Sequence, residues 1–214
     1  MRIGILGSGL MGGKLGTIFA RAGHEVTFSY SRSAGKLERL AQDAGNGARA
    51  GTPQQAVRNA EVLLLAVHWS RTEDVLGQAG DLSGKVIVTC SLPMNLEDTE
   101  LAVAHTSSGA EELAKRIPKA RVVSAFNTVP SEVLFVVFES KQDLPRPSLL
   151  FCGDEGRSKE TAARLIRDVG FEPVDAGPLR MARYTEPFAL LIAELAYEGD
   201  KGPELAYRFE WVGK

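Results

Sequence analysis

The chain has 214 residues, 44% of them hydrophobic and 24% charged, and a formal net charge of −2. This is the composition of a globular chain long enough to bury a core without disulfides or metals, which excludes disorder and collagen-like repeats. The near-neutral balance excludes a general nucleic-acid or anionic-membrane surface, so neither is expected as a partner.

No stretch approaches the ~20 consecutive apolar residues of a membrane span. The apolar run at 2–7, broken by glycines, lacks the length and cleavage pattern of a secretory signal. A cytoplasmic location with two reduced core thiols, Cys90 and Cys152, is therefore expected. His24, His68 and His105 pair neither with the cysteines nor with each other at metal-ligand spacing, so no metal site is expected.

In chain order, residues 1–6 read as a short apolar strand. Gly7-Ser8-Gly9-Leu10-Met11-Gly12 then matches G-x-G-x-x-G, and Leu15, Ile18, Phe19 and Ala22 recur at helical spacing. Gly23 ends that helix, and Glu25–Tyr30 reads as a second strand. Between a strand and a helix, the glycine motif is a strong dinucleotide signal. Gly7 allows the tight turn, Gly9 lets backbone approach a pyrophosphate, and Gly12 lets helix and strand pack closely. The helix N-terminus offers free N–H groups and a positive dipole end to the phosphates.

The end of the second strand distinguishes the two nicotinamide cofactors. A carboxylate about 20 residues past the motif holds the ribose 2′-hydroxyl of NAD. Here the segment is Ser29-Tyr30-Ser31-Arg32-Ser33, with Lys36 one turn on, and Glu25 sits at the wrong end of the strand. Hydroxyls and a guanidinium suit a 2′-phosphate that a carboxylate would repel. The expected cofactor is NADP(H), with Ser31, Arg32 and Lys36 at the phosphate.

The α/β alternation continues. Thr52-Pro53-Gln54-Gln55 reads as a capping box, 61–67 as a buried strand, and Ser70–Glu73 as a second capping box opening a helix toward Gly77. A strand at 85–89, a helix capped by Ser108 and a strand at 121–126 follow. Next come a helical stretch at 130–139, a polar loop at 142–147, a strand at 148–152, a helix at 158–169 ended by Gly170, and a strand at 172–175. The end reads as helices over 180–197, kinked or restarted at Pro187, and over 203–209. The expected fold is α/β, a Rossmann-type mostly parallel sheet with helices on both faces and a small C-terminal helical extension. Residues 1–130 form the NADP-binding domain, and 131–214 extend its sheet and cap it as one compact unit. A dinucleotide domain of roughly 150 residues leaves little chain for a separate substrate domain.

Ligands of open α/β sheets bind beyond the carboxyl ends of the strands. Three such ends are informative: Val67-His68-Trp69, Cys90-Ser91-Leu92-Pro93-Met94 and Asn127-Thr128-Val129-Pro130. His68 is a candidate general acid, although a histidine with apolar flanks is more often structural. Trp69 either stacks on a ring or packs. Cys90 has no basic neighbour to activate it. Asn127 and Thr128 carry groups suited to a carboxamide or an acceptor carbonyl. No Lys or His has the local setting of a dehydrogenase acid–base. A redox ring as acceptor needs less protein acid–base help than a small alcohol, because the cofactor carries the hard chemistry.

Together with Gly23-His24-Glu25-Val26, Val122–Pro130, Cys152-Gly153-Asp154 and Asp175-Ala176-Gly177-Pro178-Leu179, the motif resembles the small NADPH:deazaflavin (coenzyme F-420) oxidoreductases. It is also similar to the cytosolic NADPH-binding domain of six-transmembrane ferric reductases. The resemblance implies a homodimer and hydride transfer between nicotinamide and a flavin-like acceptor, a deazaflavin or a flavin. It implies Gly7, Ser8, Gly9, Leu10 and Met11 at the pyrophosphate, and Val67, His68, Asn127 and Pro130 beside the nicotinamide. It also marks Arg183 and Glu186, which could equally form an i,i+3 ion pair. Asn127 replaces a histidine frequent in the deazaflavin enzymes. The alternatives are an NADPH sensor or electron-relay module acting with a partner protein, and a reductase of a small imine or carbonyl.

Overall fold

The structure is a computed structural model and describes residues 1–143 and 145–213. The predicted loop at 142–147 lies there except for Leu144, which is outside the described residues. Eight strands form one sheet: β1 (Arg2–Leu6), β2 (Glu25–Ser29), β3 (Arg49–Ala50), β4 (Val62–Leu65), β5 (Val86–Thr89), β6 (Arg121–Ala125), β7 (Ser148–Gly153) and β8 (Glu172–Asp175). Their order is β3-β2-β1-β4-β5-β6-β7-β8. The pairs from β3 to β6 are parallel; β7 runs antiparallel to β6, and β8 is parallel to β7. This is a Rossmann-type fold whose strand order reverses at β1, between β2 and β4, where such sheets open a ligand crevice.

The helices are α1 (Leu10–Arg21), α2 (Ala34–Ala44), α3 (Pro53–Arg58), α4 (Thr72–Ala79), α5 (Gly109–Arg116), α6 (Val133–Glu139), α7 (Gly156–Val169) and α8 (Ala182–Tyr197). They divide between the two sheet faces. Leu15, Ile18 and Phe19 of α1, Leu134 of α6 and Ile166 of α7 cover Ile3, Ile5 and Val123 on one face. Val57, Val75, Leu113 and Ala182 of α3, α4, α5 and α8 cover Leu6, Leu63 and Ile87 on the other. Parallel strands covered twice are apolar at every position, and β4 is buried throughout.

Several elements differ from the sequence reading. The predicted strand at 61–67 is paired only over Val62–Leu65, because Ala66 onward turns into the crevice. Ser70 does not cap α4. Instead, Nδ1 of His68 accepts the Ser70 N–H at 3.2 Å, starting a 3-10 turn at Trp69–Arg71 that leads into the helix. The predicted helix at 130–139 begins only at Val133, and α7 begins two residues early because Glu155 caps it through the Ser158 N–H. Pro187 neither ends nor restarts α8, which runs through it as one helix.

No helix forms at 203–209. That segment is tied down in irregular form: Ser148 donates its N–H to the Tyr207 carbonyl at 2.7 Å, and Phe209 donates its N–H to Ser148 Oγ at 2.9 Å. Tertiary hydrogen bonds and the half-buried Tyr207 ring outweigh a weak helical tendency. The sequence reading also misses α2 and β3; both residues of β3 are exposed, so no apolar run marks it.

Candidate functional site

The strand β1 ends at a turn built for close approach. Gly7 has φ +110°, and a Cβ there would lie 2.4 Å from the Ala66 carbonyl oxygen. A Cβ on Gly12 would lie 1.9 Å from the Gly7 carbonyl oxygen, so only glycine lets α1 start this near the strand. Gly9 is the N-cap of α1 and makes no side-chain cap, and the first turn has no acidic residue. The N–H groups of Leu10, Met11 and Gly12 therefore have no intrahelical acceptor. No protein atom lies within 4 Å of a Cβ placed on Gly9, which leaves room for a ligand against the backbone.

That turn floors a cleft of about 1100 Å³ at the topological switch. It brings together eight of the predicted residues: Gly7, Ser8, Gly9, Ser31, Arg32, Lys36, Val67 and His68. Ser8 contributes backbone only, since its hydroxyl is buried and donates to the Ser29 carbonyl at 2.9 Å. Beyond β2 the wall includes Ser31, Arg32, Ser33, Lys36 and Glu38; the chain directly after the strand, Tyr30–Ser33, carries no carboxylate, and Glu25 stands at the opposite end of β2. The free N–H groups, the open space over Gly9 and the cations beyond β2 fit a dinucleotide carrying a 2′-phosphate.

The other predicted residues do not line this cleft. Leu10 opens α1 and is 73% exposed, while Met11 leans against the core. Trp69 turns toward α5, where the Arg116 guanidinium lies 4.8 Å from its ring centroid. Ser91 donates to the Val67 carbonyl at 2.7 Å and braces the start of the His68 turn. Asn127 is buried and donates through Nδ2 to Ser124 Oγ at 3.2 Å. Thr128 is fully buried with its hydroxyl 2.7 Å from the Tyr207 hydroxyl, and Pro130 is buried too. These residues frame the end of the sheet beside the cleft.

Both ring nitrogens of His68 are engaged. Nδ1 accepts the Ser70 N–H and stands 2.8 Å from Ser70 Oγ, so Nε2 carries the proton in the neutral ring and donates to Asp98 at 2.8 Å. Burial pushes the Cys90 thiol up to about 12, which keeps it an inert core thiol. Burial likewise raises the Cys152 thiol to about 12.

Arg183 and Glu186 do not pair with each other. Arg183 makes a bidentate contact with Glu111, its Nε at 2.8 Å and its second nitrogen at 2.7 Å. Glu186 is buried and accepts the N–H groups of Gly109 and Ala110, at 2.8 and 3.0 Å, at the start of α5.

Sequence reasoning misses part of the cleft wall. Tyr30 adopts φ +57°, and its hydroxyl donates to Asp74 at 2.5 Å across the cleft. Arg71, Asp74 and Gln78 also line it, and their i, i+3, i+7 spacing on one helix face was the available signal. Asp98 carried no signal, because its link to His68 spans thirty positions of chain. The sequence also holds a Tyr-x-x-x-Lys spacing of the short-chain dehydrogenase type, at Tyr197–Lys201. The helix ends at Tyr197, whose hydroxyl donates to Glu132 at 2.9 Å, so the pair does not share a helical turn.

Comparison with known proteins gives a consistent picture. Residues 2–93 match the family described as NADP oxidoreductase, coenzyme F420-dependent. Metalloreductase STEAP3 of Rattus norvegicus is 32% identical over 195 residues, covering 88% of this chain and 36% of that protein. Metalloreductase STEAP2 of Homo sapiens is 24% identical over 142 residues, covering 66% of this chain and 27% of that protein. The chain thus spans about a third of the length of these relatives. Among solved structures, one from Arthrobacter sp. FB24 described as an F420-dependent NADP-reductase has TM-score 0.86 at 20% identity, covering 99% of this chain and 100% of that one. A hypothetical protein of Sinorhizobium meliloti has TM-score 0.76 at 24% identity, covering 98% and 96%. A reductive aminase of Aspergillus terreus in complex with NADPH has TM-score 0.66 at 20% identity, covering 90% and 60%. At these identities the solved structures speak for the fold. Residues 2–93 carry the pattern of the F420-dependent NADP oxidoreductases, and the chain resembles that family and one portion of the metalloreductases.

Proposed function

We propose that the chain is an NADP(H)-dependent oxidoreductase that exchanges hydride with a flavin-like acceptor, a flavin or a deazaflavin. The observation that carries the cofactor assignment is the shared cleft of Gly7, Gly9, Ser31, Arg32 and Lys36, with no carboxylate at the end of β2. The uncapped N-terminus of α1 would hold the pyrophosphate, and Arg32 with Lys36 the 2′-phosphate. Val67 and His68 would border the ribose at the far end, in a turn braced by Ser91 and Asp98. When bound, the nicotinamide supplies a hydride, the two electrons and one hydrogen that the acceptor takes up. Most of what the protein adds is orientation and shielding from water. His68 would orient the bound ribose with a ring that Ser70 and Asp98 hold in place.

Stopped-flow oxidation of NADPH by the purified chain, with flavins, a deazaflavin and ferric chelates as acceptors, tests the reading. Turnover with a flavin or deazaflavin supports it, and NADPH binding without any turnover refutes it.

A second reading is a relay module that works with a partner. It is favoured by the exposed apolar residues of α8, Tyr184, Leu191 and Leu195, each more than half exposed. The same surface is our proposed contact in a homodimer. Imine or carbonyl reduction is the third reading; it rests on fold likeness alone. No helix among the described residues is long and apolar enough to cross a membrane; a cytoplasmic location is proposed from the sequence.

A further inference from the structure

One wall of the cleft has no part in holding phosphates. Tyr30, Arg71, Asp74 and Gln78 line it, the first just after β2 and the others along the turn and helix after β4. Hydrogen bonds fix three of them in one array. Tyr30 donates its hydroxyl to Asp74 Oδ2 at 2.5 Å, and Gln78 donates from Nε2 to the same oxygen at 3.1 Å. Asp74 Oδ1 accepts no hydrogen bond from the described residues. Tyr30 holds its place in the left-handed region, at φ +57°, where a bulky side chain is strained. In that conformation its carbonyl accepts the Ser8 N–H at 3.2 Å, which ties the tyrosine to the glycine-rich turn.

The position of this wall points to what it meets. Tyr30 directly precedes Ser31 and Arg32, the groups assigned to the 2′-phosphate. That phosphate and the adenine sit on the same ribose, so the base must lie within one sugar's reach of the phosphate site. The phenol ring and the Arg71 guanidinium offer flat faces for stacking a purine. The open carboxylate oxygen suits an amino group on the purine's edge, because an ionised carboxylate only accepts. A 6-oxo purine would set a second acceptor against it. Burial and the Asp74 carboxylate push the Tyr30 hydroxyl up to about 12, so it keeps the proton it donates. The same hydrogen bond holds the Asp74 carboxyl below its ordinary range.

We propose that this wall reads the base of the dinucleotide: Asp74 accepts the 6-amino group of adenine through Oδ1 and selects against a 6-oxo purine. Tyr30 is a positioning residue that fixes the carboxylate through Oδ2, and Arg71 covers a face of the ring. This rests on the NADP(H) reading above.

The test titrates the purified chain with NADPH and with its hypoxanthine analogue, which carries a 6-oxo purine in place of adenine, following the fluorescence of the reduced nicotinamide. The wild type is expected to bind NADPH about fivefold more tightly, the factor that ~1 kcal/mol represents, as for one hydrogen bond. Asp74→Asn, whose amide can face either purine, should bind the two alike at an unchanged melting temperature. Tyr30→Phe keeps the ring but frees the carboxylate, and should cut the preference to about twofold. Arg71→Ala should weaken both ligands about threefold and keep the preference, because stacking does not read the edge. Equal affinities in the wild type overturn the proposal and leave the cofactor reading standing, as does a preference that survives in Asp74→Asn. A full preference in Tyr30→Phe, or a lost one in Arg71→Ala, overturns the roles given to those residues. If neither dinucleotide binds, the cofactor reading falls with the proposal.

Discussion

Glu186 gives the sharpest quantitative prediction. Its side chain is 1% exposed and faces two backbone donors at the start of α5. Burial raises its pKa from the ordinary 4.5 to about 7, against the opposing pull of the Gly109 and Ala110 N–H groups. A folded-state pKa above the unfolded one means that folding takes up a proton. The group's stabilising contribution is complete below pH 4.5, declines as pH rises, and is lost above about 7. The span corresponds to roughly 3 kcal/mol at 1.36 kcal/mol per pKa unit. Glu186→Gln cannot titrate, but it keeps only one oxygen for two N–H donors and should cost about 1 kcal/mol at low pH. Urea unfolding of both proteins at pH 5, 6, 7 and 8 isolates this group, because all others cancel in the difference. Wild-type stability should about match the variant's near pH 5 and fall below it with rising pH, by about 2 kcal/mol at pH 8. Parallel curves, or a wild type that gains on the variant as pH rises, would refute the reasoning.

Arg32→Ala should weaken NADPH binding by about 1.5–3 kcal/mol, the range for a charge-assisted hydrogen bond, and leave NADH nearly unchanged; fluorescence titration of both cofactors checks it. Gly12→Ala forces a Cβ against the Gly7 carbonyl oxygen at 1.9 Å, so it should lower the thermal midpoint and abolish NADPH binding, with a loss of about 2 kcal/mol or more. Tyr207→Phe strips partners from the Thr128 hydroxyl and the Leu150 N–H and should cost about 1–3 kcal/mol in urea unfolding. If α8 forms a homodimer contact, Leu191→Glu should shift the sedimenting species toward the monomer without weakening NADPH binding.

Much of the nucleotide end was legible in the primary structure because its determinants are local. Gly7 and Gly12 meet backbone within a few residues or across one strand, Gly9 between them leaves open space, and the Thr52–Gln55 capping box forms within one turn as its spacing predicts. The polar groups beyond β2 follow the strand directly, so their chemistry could be read without knowing the fold. Misreadings arose where distant segments compete. Ser70 lost its capping role to His68, and 203–209 lost its helix to Ser148 and Thr128 across the molecule.

By itself, then, the sequence determined the α/β class, the glycine-rich turn and the absence of a carboxylate at the end of β2. Each is set by side-chain period, by missing Cβ atoms or by charge within a short span. Only the tertiary structure decided which residues face the cleft. It placed Tyr30, Arg71 and Asp74 there, withdrew Trp69 and Asn127, separated Arg183 from Glu186, and brought Asp98 to His68. Those contacts join segments far apart in the chain, and where they meet depends on how the helices pack on the sheet, which residue spacing does not encode.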